Sequence, residues 1–324
     1  KINLPPSSNI NKINKPTISN IRLMTPTITP SPTATQTPKP TPTTLTQKNF
    51  QFGIIVPDYT NPNGELKSLN TLLNNQIKSV TIYKQFGLYP DLHEEDLAYL
   101  KSQNFHLIIT WEPWNPEQGM SQSQDYLSQI PTGQLDGYLK KFAQSVKSYG
   151  KPITIRFAHE MNGDWYPWAS RPTQYIAAYR YIVNLFKSEA VTNVTWQWSV
   201  NSDNVPYTTP DNVSKYYPGN EYVNTIGIDG YNFGNSNWRS FDNIFSPMYS
   251  YLTKTYNKPI EISETASSEI GGDKSVWVND MFTNIRSNKY YQVTRLTWFS
   301  LLKEADWRIN SSINTQNAFK NNLR

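Results

Sequence analysis

From Phe50 onward, short apolar runs alternate with longer stretches of helical spacing. The runs are FQFGIIVP (50–57), SVTIYKQFG (79–87), FHLIITWEPW (105–114), ITIRFAHE (153–160), VTWQWSVN (194–201), VNTIGIDGYN (223–232), IEISETAS (260–267) and VTRLTWFSL (293–301). Each is rich in β-branched and aromatic residues and of strand length. Between them LDGYLKKFAQSVKSYG (135–150), PTQYIAAYRYIVNLFKSEA (172–190), FDNIFSPMYSYLTKTY (241–256) and VWVNDMFTNIRSN (276–288) repeat apolar residues every three or four positions. That period predicts amphipathic helices. Residues 115–133 read as a long loop, and the helix expected after 201 has the weakest pattern. Eight strands alternating with helices predict an α/β fold, a (β/α)8 TIM barrel over 49–324, in preference to a doubly wound open sheet.

The first 48 residues break this pattern. They hold nine of the 23 prolines, and TPTITPSPTATQTPKPTPTTLT (25–46) is nearly all Thr, Pro and small polar residues. Such a stretch cannot bury enough apolar surface to offset its ordering entropy, so residues 1–48 are expected to form a disordered linker, a tether to another module or to a cell surface. The linker also accounts for the chain's basicity. Six of the 30 Lys and Arg residues and none of the 25 Asp and Glu residues lie in it, leaving 24 basic against 25 acidic side chains for the barrel. The sequence pI of about 9.0 therefore gives no reason to expect nucleic-acid binding by the barrel. No apolar run reaches the length of a membrane-spanning helix. The absence of Cys removes disulfides and thiolate metal ligands.

Barrel enzymes carry their chemistry at the C-terminal ends of the strands. Here those ends offer Trp111, Glu112 and Trp114; His159, Glu160, Asn162, Trp165 and Trp168; Trp196, Trp198 and Asn201; Asp229, Tyr231 and Asn232; Glu264; and Trp298. Glu160 and Glu264 come from strands four and seven and should face each other across the mouth. A carboxyl pair with aromatic walls suits glycoside hydrolysis. One acid protonates the leaving oxygen, the other attacks the anomeric carbon or activates water, and sugar rings stack on indole and phenol faces. Trp111, Trp114, Trp168 and Trp198 are open to either core packing or sugar stacking; Trp196 is expected to face the helices. The adjacent His159 and Glu160 do not make a zincin motif, because position 163 is Gly where a second His is required. No metal or other cofactor is expected.

RFAHEMNGDWYPWA (156–169) resembles the acid/base signature of glycoside hydrolase family 26, a retaining (β/α)8 family of β-mannanases and mixed-linkage β-glucanases. YYPGNEYVNTIGIDGYN (216–232), KPIEISETAS (258–267) and TRLTWFS (294–300) agree in order and spacing. The resemblance implies Glu160 as general acid/base and Glu264 as nucleophile. It also implies His159 and Tyr231 in contact with the nucleophile, Trp165 beside the leaving group and Trp298 as the floor under the cleaved sugar. Trp111, Trp168, Asn162 and Asp229 complete the expected substrate-binding set. Glu261 is the rival nucleophile, set aside because alternation should turn it away from the mouth. The stretches WYPW (165–168) and ETA (264–266) depart from the mannanase form beside the carboxylates, not on them.

The expected activity is endo-acting, retaining hydrolysis of a β-1,4-linked polysaccharide, with β-mannan first and mixed-linkage β-1,3-1,4-glucan second. A catalytically silent carbohydrate-binding barrel is the alternative of another class. A polymer substrate implies a secreted or cell-envelope location, and a monomer suffices.

Overall fold

The protein is described by a computed structural model over residues 49–324; the linker expected over 1–48 lies outside the described residues. Eight strands close into a barrel in chain order. They are β1 (Gln51–Ile55), β2 (Ile77–Gln85), β3 (His106–Glu112), β4 (Ile153–Phe157), β5 (Val194–Asn201), β6 (Thr225–Asn232), β7 (Ile260–Ser267) and β8 (Val293–Phe299). Every neighbouring pair is parallel, and β1 joins β8, so the sheet has no edge.

The helices are α1 (Glu65–Leu72), α2 (Glu94–Ser102), α3 (Tyr126–Gln129), α4 (Asp136–Tyr149), α5 (Pro172–Ser188), α6 (Phe241–Thr255), α7 (Lys274–Arg286) and α8 (Ile313–Asn322). The helical stripe is plain in α4, which buries Leu139, Phe142, Ala143, Val146 and Tyr149 and stops at Gly150, whose φ of 72° suits glycine. Ser240 and Asp273 cap α6 and α7 through their side chains. The stretch 115–133 is a loop broken by α3 and two short 3₁₀ turns. After β5 the chain makes only a 3₁₀ helix, Pro210–Tyr216. The Asn, Asp and Ser side chains of 202–220 compete for backbone hydrogen bonds and its prolines lack the N–H a helix needs, so an α-helix is disfavoured there. No helix among the described residues is long and apolar enough to cross a membrane.

The barrel interior is polar. Gln197 on β5 donates to Glu261 (2.8 Å) and accepts from Ser263 (2.7 Å), both on β7, while Arg295 on β8 pairs with Glu261 at 3.0 Å and reaches Gln51 on β1. At Gly227 on β6 a Cβ would collide with the side-chain oxygens of Ser199, Ser263 and Gln197, so any side chain there would have to displace this network. The aromatic residues instead fill the layer between sheet and helices. Trp111 stacks on Phe142 of α4 at 4.2 Å and 12° and donates to the Tyr138 hydroxyl. Trp196 packs on Tyr179 and Phe186 of α5, and Trp198 on Tyr217 and Tyr256. The two share a face because residues two apart on a regular strand do. Trp298 packs on Trp277 of α7 and Phe319 of α8.

Two expectations are corrected here. Trp111 and Trp298 are fully buried behind the sheet, so neither touches a substrate in the mouth. Strand parity sends them outward while Thr110 and Thr297 face in. Trp111→Ala is accordingly expected to cost about 3–5 kcal/mol of stability. The thermal midpoint should fall while turnover per folded molecule holds; the reverse pattern would place Trp111 at the substrate.

Candidate active site

β4 ends at Phe157, three residues short of the run read from sequence. Ala158 and Glu160 then take left-handed backbone, with φ of 46° and 53°. Their amides still bond the flanking strands, Ala158 N–H to the Trp111 carbonyl and Glu160 N–H to the Ser199 carbonyl. Non-glycine residues in this region cost about 1–3 kcal/mol each. The turn breaks strand alternation, so the neighbouring side chains of His159 and Glu160 both enter the site. β7 departs from alternation in its own way: its register shifts against both β6 and β8 between Ile262 and Thr265. This irregularity lets Glu261 and Glu264, three apart, both point into the barrel. Glu261 therefore does not face away; it lies lower in the barrel, held by Arg295.

Glu264 receives three donors. Tyr83 (2.7 Å) and Arg156 (2.8 Å) reach Oε1, and Tyr231 (2.6 Å) reaches Oε2. Burial alone would raise its pKa, but the Arg156 guanidinium, with the hydroxyls of Tyr231 and Tyr83, outweighs burial and brings it below the ordinary value. Glu160 has a different setting. Oε2 accepts from Trp165 Nε1 (2.7 Å) and Oε1 from Asn201 Nδ2 (2.8 Å), both neutral donors. Burial and then the charge on Glu264 push its pKa up to about 7. One mouth thus holds one carboxyl whose setting favours ionisation and one whose setting favours the proton, the division of labour that acid-plus-nucleophile chemistry needs.

The rest of the expected set divides. Trp165 is half-buried at the mouth, its ring lying so close over Gly163 that a Cβ there would clash. Tyr231 is half-buried and packs on Phe233, Phe299 and Trp307. His159 is buried, with Nε2 3.1 Å from the Tyr166 hydroxyl and 4.0 Å from Glu264. Burial draws its pKa down to about 3, so the ring is neutral.

Three residues are corrected from substrate contacts to supports. Asp229 is fully buried and pairs with Arg156 at 2.5 Å. Asn162 spends its amide on the backbone of Asn201 and Asp203 and on the Asn204 side chain. Trp168 is buried, stacks on Tyr166 at 4.2 Å and donates to the His159 carbonyl; its outer edge faces a separate cavity of about 260 Å³ lined by Pro113, Tyr126 and Arg171. Sequence reading did not single out Tyr83, Arg156 or Trp307 for the site. Arg156 stands four residues before Glu160 in the quoted motif, and a lone arginine in an apolar strand is the one signal that marks it.

His159, Asp229 and Glu264 offer ligand atoms within 4.8 Å of one another. The positive charge there is already supplied, because both carboxylates bond Arg156. The set does not fit a cation.

A (β/α)8 barrel with a carboxyl pair of opposed proton affinity on strands four and seven has the layout of a glycoside hydrolase. The profile of glycosyl hydrolase family 26 matches residues 96–268, just over half the chain, and the chain belongs to that family. Endoglucanase H of Acetivibrio thermocellus is 44% identical over 219 residues, covering 64% of this chain and 23% of that protein. A mannan endo-1,4-β-mannosidase of Bacillus subtilis strain 168 is 25% identical over 206 residues, covering 56% and 52%. The chain thus spans about a quarter to a half of the length of these relatives. A GH26 β-mannanase from Bacteroides ovatus shares the fold at TM-score 0.63 and 17% identity, over 85% of this chain and 88% of that one.

Arg156→Met would leave Asp229 and Glu264 buried without their cation, an expected loss of about 3–5 kcal/mol. In the protein that still folds, Glu264 should titrate higher, moving the acid limb of the pH–rate profile to higher pH. Urea midpoints and pH–rate profiles check the two effects.

Proposed function

We propose that the barrel cleaves internal linkages of a β-glucan by double displacement with net retention, Glu160 serving as acid then base and Glu264 as nucleophile. The observation that carries this is the pair of opposed carboxyl environments in one mouth. Glu264 attacks the anomeric carbon as the leaving oxygen takes the proton of Glu160. The glycosyl ester neutralises Glu264 and so removes the charge that, after burial, raised the pKa of Glu160, and that pKa falls. Glu160, now a carboxylate, takes a proton from water as its oxygen attacks the same carbon and Glu264 departs.

Polymer binding and internal attack are supported by the surface around the mouth. Of the nine large apolar residues left exposed among the described residues, six, Tyr89, Met120, Tyr207, Phe233, Ile270 and Leu302, lie on loops that follow the C-terminal ends of strands, and Val276, Tyr291 and Ile313 lie elsewhere. Exposed apolar surface concentrated at that end of a barrel suits a long ligand with apolar sugar faces. A glucan is favoured over the mannan expected from sequence because the 44% identical relative is named an endoglucanase. Mannan is the second reading, favoured by mannanase relatives at 25 and 26% identity. Such polymers do not enter cells, so export and a tethering role for residues 1–48 belong to the same proposal.

A panel of lichenan, galactomannan, glucomannan, xylan and carboxymethylcellulose tests the reading. Lichenan should lose viscosity fastest, ahead of the rise in reducing ends, and proton NMR should show the β-anomer first. Glu264→Ala should cut turnover on the order of a thousandfold or more while substrate binding persists. Initial release of the α-anomer, or no cleavage by folded protein, rejects the mechanism; faster loss of galactomannan selects the second reading.

The profile of kcat/KM against pH should be a bell. Glu264 must be ionised, which sets an acid limb below the ordinary carboxylate pKa of 4.5. Glu160 must be protonated, which sets an alkaline limb near about 7. Glu160→Gln should remove the alkaline limb.

A further inference from the structure

Glu112, at the end of β3, is a further carboxyl beneath the mouth, besides Asp229 and Glu261, that takes no part in the two-step chemistry. It is fully buried. Oε2 accepts from Gln85 Nε2 of β2 at 2.6 Å and from Trp114 Nε1 at 3.3 Å. Oε1 has no hydrogen-bond partner among the described residues, and neither has Nδ1 of His159. These two unpartnered buried atoms face each other at 4.0 Å. Buried polar atoms left single cost roughly 1–3 kcal/mol each, a cost that a hydrogen bond between these two atoms would remove at both. On its other side His159 presents Nε2 to the Tyr166 hydroxyl and to Glu264.

We infer that Glu112 is a positioning residue whose carboxylic acid donates to Nδ1 of His159, fixing the imidazole in the tautomer that carries its proton on Nε2, toward Glu264. The acid form is the one present at neutral pH, because burial raises the Glu112 pKa to about 8 against the two hydrogen bonds from Gln85 and Trp114. In this tautomer His159 turns an N–H dipole toward the nucleophile's carboxylate. The opposite tautomer would turn a lone pair toward it and disfavour the ionised form that attacks. The kinetic half of the inference rests on the proposed hydrolysis; the tautomer does not.

The chain has three histidines, His93, His106 and His159, so imidazole ¹⁵N signals can be assigned with His93→Gln and His106→Gln variants. Long-range ¹H–¹⁵N correlation near pH 6.5 is expected to show His159 as the Nε2–H tautomer. Glu112→Gln should keep it, because the amide oxygen can replace Oε2 toward Gln85 while the amide nitrogen donates to Nδ1; its kcat should stay within about twofold of wild type. Glu112→Leu should give averaged tautomer shifts and a kcat lowered on the order of tenfold with little change in KM. An Nδ1–H tautomer in the wild type overturns the inference even if the leucine variant does not fold. So does an Nε2–H tautomer that survives in folded Glu112→Leu. The predicted tautomers in a protein that cleaves no polysaccharide would instead uphold the inference and sink the proposed function.

Discussion

Arg156 leaves β4 for the barrel interior, and its guanidinium reaches Thr110 on β3, Ser199 on β5, Asp229 on β6 and Glu264 on β7. Five adjacent strands are thereby joined through one planar cation, at a level where most barrels pack branched aliphatic side chains. A charge this deep is tolerable only with its donors spent and its sign compensated. Both conditions are met, and meeting them fixes what the site can do. Glu264 cannot lose its charge cheaply while Arg156 stands beside it, and burial does not let the cation leave.

The division between the two carboxyls follows. Both are buried, so desolvation alone would protonate both. Arg156 and two phenols reverse the outcome at Glu264; Glu160, bonded by an indole and an amide, has no cation in contact among the described residues and feels the negative charge across the mouth. Identity of residue says nothing here. The difference lies in which neighbours the strand ends bring, and those ends depend on left-handed backbone after β4 and a register shift in β7. Regular alternation would have placed His159 and Glu160 on opposite faces and left only one of Glu261 and Glu264 inside.

The same irregularities mark where reading the sequence stopped working. Eight apolar runs were enough for the barrel, since seven strands sit within the runs that announced them and β2 starts two residues before its own, and the pattern at 156–169 was enough to locate Glu160. Direction was harder. A tryptophan in a barrel strand belongs behind the sheet or over the mouth according to parity, and parity is lost wherever one residue slips. Trp196 and Trp198 needed only correct counting. Glu261 needed the β7 register shift, which no local composition marks. Trp168 and Asn162 lie in a tight loop where burial depends on the closing of neighbouring loops. Tyr83 comes from a strand whose run looks like ordinary core; that its hydroxyl meets Glu264, 181 positions away, is a fact of closure alone.

Trp298 shows how a residue can matter to a site it does not enter. Its indole N–H donates to the Trp307 carbonyl at 2.7 Å from behind the sheet. Lys274, at the start of α7, holds the same loop through the carbonyls of Asp306 and Arg308 and the Ser311 hydroxyl. Held from both sides, the loop after β8 sets the Trp307 ring against Tyr231 at 5.7 Å, and the Tyr231 hydroxyl bonds Glu264. The chain of contact from Trp298 to Glu264 is therefore Trp307 and then Tyr231, each link a packed ring or a hydrogen bond. The ring packed against Tyr231 is thus supplied by a loop, and the strand tryptophan expected as the floor under the cleaved sugar is the strut that holds that loop in place.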